Sequence, residues 1–495
     1  MKDPITGKQW IDPKTLEEND YCSLHGHSTF SVGDAIGKPE DIVSSAIENG
    51  MDAIAITDHG NCNVVGDFYL HKKKLEDQGV KFKAIFGNEF YYHPSFALWE
   101  RDMVDKQDAK KVKKGKGVAD TENIAALSAE SENEIESKKY TKDPVKRRHH
   151  LVILAQNQKG LENLFALTSR SATEGFYYRP RIDYNMLKDH TEGLVCTSAC
   201  LAGIMSWTMQ KGWVEGWDEE KILREMENHV DQFDQLFNQG DTARFFLEIQ
   251  FNKVSDGERM KQHELNALLV KLHRKTGIPL IAAVDYHYPR KNLWQAREVI
   301  KVTSQKSDIH EDEDELDCLL YPKNAQQMIE AFNEMDGGWY ITEEELLTAI
   351  KNTRMVADNM IENIDIDVSP RFPKIGGTNP YNELQQIIIS KLSAFFDQKG
   401  WVKGDDRRKV YVDRVQEELA LIKEKRFALY FLTYHKIVDA AREEMILSVG
   451  RGSGAGCLVN FLLGITELDP IRFGLMFARF LDPFRVDVLP RMDVF

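Results

Sequence analysis

Between residues 20 and 290 the hydrophobic positions follow two alternating patterns. KPEDIVSSAIENG, FYLHKKKLEDQG, KGLENLFALTSRSA and KQHELNALLVKLHRKTG space their apolar residues three and four apart, which predicts amphipathic helices. MDAIAITDHG, VKFKAIFGNEFYY, EGLVCTSACLAG and IPLIAAVDYHYPR carry compact Val, Ile and Ala runs, which predict strands buried on both faces. The alternation predicts an α/β domain with a mainly parallel sheet or barrel covered by helices. A stretch from about 99 to 148 interrupts it, charged, nearly free of aromatics and without sustained periodicity. A solvated, mobile insertion is expected there. The lysines between Lys110 and Lys116 give that stretch a second reading, as a contact to a phosphate backbone.

The pattern changes after about Tyr288, so a first domain is expected over 1–288 and a second over 289–495. An acidic loop, SDIHEDEDELD, precedes a helical TEEELLTAIKNTRMVADNMIENI. The connector SPRFPKIGGTNP leads to long helices through LQQIIISKLSAFF and DRVQEELALIKEKR. ILSVGRGSGAGCLVNFLLGI then predicts a strand, a glycine turn and a helix.

Composition narrows the function classes. At 495 residues the chain exceeds one ordinary domain, and 42% hydrophobic residues exclude wholesale disorder. Sixty-four basic against 79 acidic residues leave a net charge of −15, which argues against coating nucleic acid through overall charge. A local basic groove stays open. MKDPITGKQW lacks a signal-peptide pattern and no apolar run reaches bilayer length, so a cytoplasmic location without a membrane partner is expected. Six cysteines without a CxxC pair suit a reducing compartment, and suit a ligand better than half a disulfide.

The candidate chemistry lies at the strand ends. His25 and His27 share one side of an extended segment, and Asp34 follows in the next turn. Asp58 and His59 end one predicted strand, Glu89 lies in the next, Cys200 follows another, and Asp285 with His287 closes the last. His149 and His150 instead stand at a strand's start. Each alone is as well explained by packing. Five separate strand units that each deliver a ligand-type residue point to a metal site, since loops at the ends of barrel strands converge. Imidazoles, carboxylates and one thiolate suit Zn, Mn or Fe, and their number suggests more than one ion. Such ions activate water and clamp phosphoryl groups, the chemistry of phosphoesterases.

HGHSTFSVGDA, AITDHGN, GNEFY, HHLVILA, the Cys of TSACLAG and VDYHY, in that order, resemble the successive motifs of the PHP domain. The version with Cys at position 200 is similar to the PHP domain fused to bacterial replicative polymerases. The resemblance implies a distorted (β/α)7 barrel holding two or three divalent metal ions. It implies as ligands His25, His27, Asp34, His59, Glu89, His150, Cys200, Asp285 and His287. His149 is the lesser of its pair, because the family's histidine abuts the strand. A complete ligand set favours a metal-loaded site, with exonuclease or other phosphoesterase activity as one reading and a scaffold as another.

GRGSGAG at 450–456 offers glycines for close backbone approach, helix-start N–H groups for an anion, a hydroxyl at Ser453 and positive charge at Arg451. It is not a Walker loop, because no Lys-Ser/Thr ends it. From ELALIKEKRFALYF through FARFLDPFRV the sequence resembles the palm of C-family DNA polymerases, a nucleotidyltransferase-type α+β domain. The resemblance implies DNA primer-template and dNTPs as partners, with the triphosphate on Gly452 and Ser453. Arg479 and Arg485 would offset phosphate charge. The family's metal-binding strand corresponds to LPRMDVF here: with one gap Asp493 takes the first metal-binding position and Phe495 stands at the second, and without the gap Phe495 matches the family's terminal Phe and the acids do not line up. Magnesium at the completed palm site, and a second polypeptide with the rest of palm, thumb and fingers, are therefore expected. The incomplete palm would be either a natural split or a truncation.

Overall fold

The computed structural model describes residues 10–115, 144–240, 242–252, 261–305, 319–335, 340–368, 373 and 379–482. Chain contacts divide it into two compact units, Met1–Ile366 and Asp367–Phe495.

The first unit is built on a curled seven-stranded sheet. Strands β1 (Ala53–Ile56), β2 (Lys83–His93), β3 (His149–Ala155), β5 (Leu194–Thr197), β6 (Phe245–Gln250) and β7 (Leu280–Ala283) lie side by side in that order, and β4 (Arg181–Asp183) pairs with the far end of β2. The edges of this path are joined by the segment carrying His25 and His27. Ser23 bridges Ile54 of β1, and Gly26 bridges Tyr286 just beyond β7. Gly26 is required there, because a Cβ would lie 2.1 Å from the Tyr286 ring. The barrel implied by the PHP resemblance is thus a curled sheet closed through its histidine motif.

Strand residues alternate between two cores. Ile54, Ile56 and Phe86 pack outward against the helices, with the larger cluster. Ala53, Ala55, Ile85, Val152, Leu154 and Phe246 face inward, where Val356, Ala357, Met360 and Ile361 fill one end of the barrel. The side chain of Lys83 donates to the carbonyls of Ala357 and Ile361. Thr353 Oγ1 accepts from Cys22 N–H at 2.9 Å. This plug explains why the chain divides at 366/367 and not near residue 289, as the change of pattern suggested. The stretch 342–364 has ordinary amphipathic spacing, but its partner is the interior of the first unit.

Sheet direction also departs from a mainly parallel reading at one place. β3 runs antiparallel to both β2 and β5. Its N-terminal end therefore lies at the same rim as the C-terminal ends of the parallel strands, which is how a histidine at a strand's start joins residues at strand ends.

Part of the expected mobile insertion is ordered: a helix spans Phe96–Gly115. Lysine, alanine and glutamine favour a helix without an apolar stripe. Residues 116–143 lie outside the described residues, as do the side chains of the lysine cluster.

The second unit is helical among its described residues. Helices span Pro380–Lys399, Asp406–Glu424, Ala428–Glu444 and Leu458–Leu463. The first begins where the Asn379 side chain accepts from Asn382 N–H at 3.2 Å with Pro380 in its first turn, and ends at Gly400 with φ +67°. Its core joins Leu384, Ile388 and Phe396 to Tyr411, Val415, Phe431 and Leu458. The strand expected before the glycine turn is absent from the described residues. Met445, Ile446 and Val449 are exposed, and the backbone bonds here run to a helix end and a loop: Met445 N–H donates to the Ala441 carbonyl at 2.9 Å and Glu467 N–H to the Val449 carbonyl at 2.8 Å. Arg485, Asp493 and Phe495 lie outside the described residues.

Candidate metal centre and glycine turn

The nine expected metal-ligand positions come together at the rim of the first unit. Three sets of ligand atoms each lie within 4.8 Å of one another: those of His27, His59 and His287, of His25, His27 and Asp285, and of His59, Glu89 and His150. Glu89 sits at the middle. Its Oε1 is 3.2 Å from His25 Nε2 and 2.8 Å from His150 Nδ1, and its Oε2 is 3.3 Å from His27 Nε2 and 2.7 Å from His59 Nδ1. Asp285 Oδ1 lies 3.3 Å from His25 Nε2 and 3.1 Å from His27 Nε2. Asp34 Oδ2 lies 3.3 Å from His59 Nε2 and 3.2 Å from His287 Nε2. Cys200 Sγ completes the side at His150, 3.7 Å from its Nδ1 and from Glu89 Oε1.

His150 Nδ1 with Glu89 Oε1, and His59 and His287 Nε2 with Asp34 Oδ2, have hydrogen-bond geometry, whereas the contacts of His25 and His27 Nε2 with Glu89 and Asp285 are close but poorly directed. His25 Nε2, His27 Nε2, His59 Nδ1, Glu89 Oε2 and Asp285 Oδ1 are buried and make no hydrogen bond. Leaving five such atoms unpartnered is costly, at about 1–3 kcal/mol each, so the set fits a cation far better than a hydrogen-bonded core. Outer partners fix the rings accordingly. His25 Nδ1 donates to Glu248 Oε1 at 2.8 Å, His27 Nδ1 to Ser31 Oγ at 2.9 Å, and His287 Nδ1 to the Asp285 carbonyl at 2.8 Å. Each bond leaves the Nε2 lone pair turned inward, the orientation a metal-binding imidazole needs.

Electrostatics agree. Burial alone would protonate Asp34, but Arg297 and His287 hold it well below the usual carboxylate range. Arg297 Nη2 donates to Asp34 Oδ1 at 2.6 Å. Glu89 is likewise depressed against burial, by His150, His25 and His59. Burial favours neutral His25, yet Asp285, Glu248 and Glu89 together raise its pKa well above the ordinary value. Burial, then Glu89 and Asp285, push the Cys200 thiol up, so only a nearby cation would make it a thiolate. Asp285 and Ala199 both hold left-handed φ angles, +53° and +57°, at the turns that deliver Asp285 and Cys200.

Two neighbours of the ligand positions behave differently. Asp58 accepts from Ser28 N–H, Ser28 Oγ and Ser31 Oγ at 2.7–2.8 Å and so holds the loop after His27. His149 turns away and packs edge-on against Trp207 at 5.3 Å. Sequence reasoning missed Glu248, Ser31 and Arg297. Glu248 left one signal, a carboxylate inside the wholly buried strand FFLEIQ, where it also accepts from Thr197 and Gln250.

In the second unit Gly452 adopts φ +71° and ψ −162°, and a 3-10 turn spans Ser453–Gly456. Gly456 packs so closely that a Cβ would lie 2.6 Å from the Met476 carbonyl oxygen. Arg451 and Arg479 are exposed and Ser453 is half-buried. The helix start itself is taken. The buried Glu418 carboxylate accepts from Leu458 N–H at 2.9 Å, Val459 N–H at 2.8 Å and Cys457 Sγ at 3.1 Å. Arg414 Nε donates to Glu418 at 2.7 Å, and its Nη2 donates to the Gly456 carbonyl at 2.8 Å. The helix N-terminus expected to face a phosphate is therefore capped internally, which leaves Arg451 and Gly452, with half-buried Ser453, as the exposed part of the turn.

A curled barrel whose rim gathers imidazoles, carboxylates and a thiol is compatible with a metal-binding domain of the PHP class, and residues 23–252 match the PHP domain family. Residues 382–494 match the bacterial DNA polymerase III alpha NTPase domain. Over 96% of its length the chain is similar to DNA polymerase III subunit alpha of Borreliella burgdorferi (30% identity), Aquifex aeolicus (29%) and Helicobacter pylori strain J99 (27%). It is thus a homologue of the N-terminal portion of bacterial DNA polymerase III alpha subunits. The chain spans little over a third of these relatives' length, 35–36%. No helix among the described residues is long and apolar enough to cross a membrane.

Proposed function

We propose that the chain acts as part of a DNA-templated polymerase that transfers deoxynucleotides to a primer 3′-hydroxyl. Similarity along 96% of the chain to DNA polymerase III alpha subunits carries this reading. The exposed turn Arg451–Ser453 would receive the triphosphate, with Arg479 and Arg485 offsetting its charge and Asp493 contributing to a magnesium site. In-line transfer uses two ions held by several acids. A second polypeptide supplying the remaining palm, thumb and fingers is part of the proposal, in keeping with the 35–36% of the relatives' length that the chain spans. Extension assays on primed DNA with the chain, a complementary C-terminal polymerase chain and their mixture test it. The mixture is expected to extend the primer, the chain alone not, and Asp493→Asn to abolish extension. Extension that survives Asp493→Asn would show that the complementary chain carries a complete site by itself.

The five orphaned ligand atoms favour a second activity within the same chain: metal-dependent phosphodiester hydrolysis at the PHP centre, in the manner of a 3′–5′ exonuclease. His25, His27, Asp34, His59, Glu89, His150, Cys200, Asp285 and His287 would hold two or three divalent ions, with Zn, Mn and Fe suiting the donors. Bound there, such ions supply an activated water and a clamp on the phosphoryl oxygens. The chain's own part is orientation: Glu248 and Ser31 fix His25 and His27, and Arg297 fixes Asp34.

A further inference from the structure

Beside the metal rim lies a strap that neither proposed activity uses. It runs from Phe176 to Arg181, where β4 begins. Arg181 is the register partner of Tyr91, two residues beyond Glu89 on β2. Pro180 reaches the His59 loop, since a Cβ on Gly60 would lie 3.0 Å from the Pro180 ring and 3.3 Å from that of Tyr91. Tyr91 in turn stacks on His59, with centroids 6.0 Å apart and planes at 22°, and meets His150 edge-on at 5.3 Å. The strap is therefore the wall next to two candidate ligands.

Its chemistry is aromatic and basic. Phe176 is 61% exposed and Tyr178 48%, five and three positions before the buried strand β4. Tyr178 also holds a left-handed φ of +61°, which a bulky residue adopts at a cost. Beneath it Arg181, only 2% exposed, lies against Trp99 at 4.4 Å and against Phe96 and Tyr177 at 5.3 Å. A narrow cleft opens between Lys146, Arg147, Arg148, Tyr177, Tyr178 and Arg181, with no carboxylate among its lining. Among the described residues Arg181 Nη1 and Arg147 Nε are buried without a hydrogen-bond partner. Arg148 lies over Tyr91, 5.4 Å from its ring centroid, on the side of the metal rim.

We infer that this strap and cleft form the binding platform for a single strand of DNA whose end is presented to the metal centre. Exposed rings stack on bases whatever their identity, and interleaved guanidinium groups track the phosphates between them. The inference rests on the phosphodiester-hydrolysis reading for its purpose but not for its test, because binding is read without turnover.

The experiment titrates a fluorescent oligothymidylate into the full chain, in chelator so that nothing is cleaved, and follows anisotropy at several salt concentrations. Wild-type protein is expected to bind with a Kd that weakens as salt rises. Phe176→Ala with Tyr178→Ala is expected to weaken binding at least about tenfold, from the loss of two stacking rings. Arg147→Gln with Arg148→Gln is expected to reduce the salt dependence by about two phosphate contacts. Both pairs are checked for unchanged melting temperature and metal content. Absence of binding by the wild-type chain, or equal binding by the Phe176/Tyr178 variant, would overturn the platform. Strand binding that the variants weaken, in a protein that hydrolyses no DNA with any metal, would remove the hydrolytic reading and leave the platform in place.

Discussion

Asp285→Asn is expected to slow shortening of a 3′-ended single strand by Mn- or Zn-loaded protein by on the order of a hundredfold or more. One oxygen of Asp285 stands 3.3 and 3.1 Å from His25 and His27 Nε2, so it serves the histidine motif as a shared anionic donor. Asparagine keeps the shape but removes the charge. Its amide would either present N–H donors to imidazole lone pairs already turned inward by Glu248 and Ser31, or offer only a neutral oxygen. The left-handed backbone at Asp285 is one that asparagine also tolerates, which makes the variant a test of charge and not of folding. A labelled oligonucleotide resolved by length reports the rate. Equal shortening by wild type and variant would assign the activity to a contaminating nuclease or to another site.

Metal removal carries the second large expectation. Chelation is expected to lower the melting temperature of the first unit by several degrees. An ion held at a free concentration a thousandfold above its Kd stabilises the fold by about 4 kcal/mol. The sign follows from the ligands' places in the chain. They come from the closing segment, β2, the start of β3 and the turns after β1, β5 and β7, so one cluster ties together most of the barrel. Without a cation, five buried polar atoms stay unpartnered. Calorimetry with and without chelator, followed by reloading with Mn or Zn, checks it. A melting temperature indifferent to chelation and reloading would show that the centre holds nothing that matters to the fold. A shift without any hydrolysis would assign the metals a structural role.

Most of the candidate metal centre was legible because its chemistry is local. An HxH on an extended segment, an Asp-His at a strand end and a Cys after an apolar run each reveal themselves within ten residues. The position of His150 was legible only as an anomaly, and its cause is non-local: the reversed direction of β3. Glu248 escaped because a single carboxylate in a buried strand says nothing about what it faces. Glu418 escaped for the opposite reason, since DRVQEELALIKEKR reads as an ordinary charged helix face. Only the structure shows that one of its carboxylates is buried under the start of the helix Leu458–Leu463. The extent of the first compact unit was hidden on the same ground. Apolar spacing over 342–364 establishes a helix, but whether that helix covers its own unit or plugs a barrel depends on residues three hundred positions earlier.

Elemental analysis of the purified full chain, prepared without chelator, tests the account most directly. Two or three transition-metal ions per chain are expected, and fewer in His25→Ala with His27→Ala, because those two imidazoles supply two of the three ligand sets. A wild-type chain that carries no bound metal, and takes up none when offered Zn, Mn or Fe, would contradict the metal centre on which the hydrolytic reading rests.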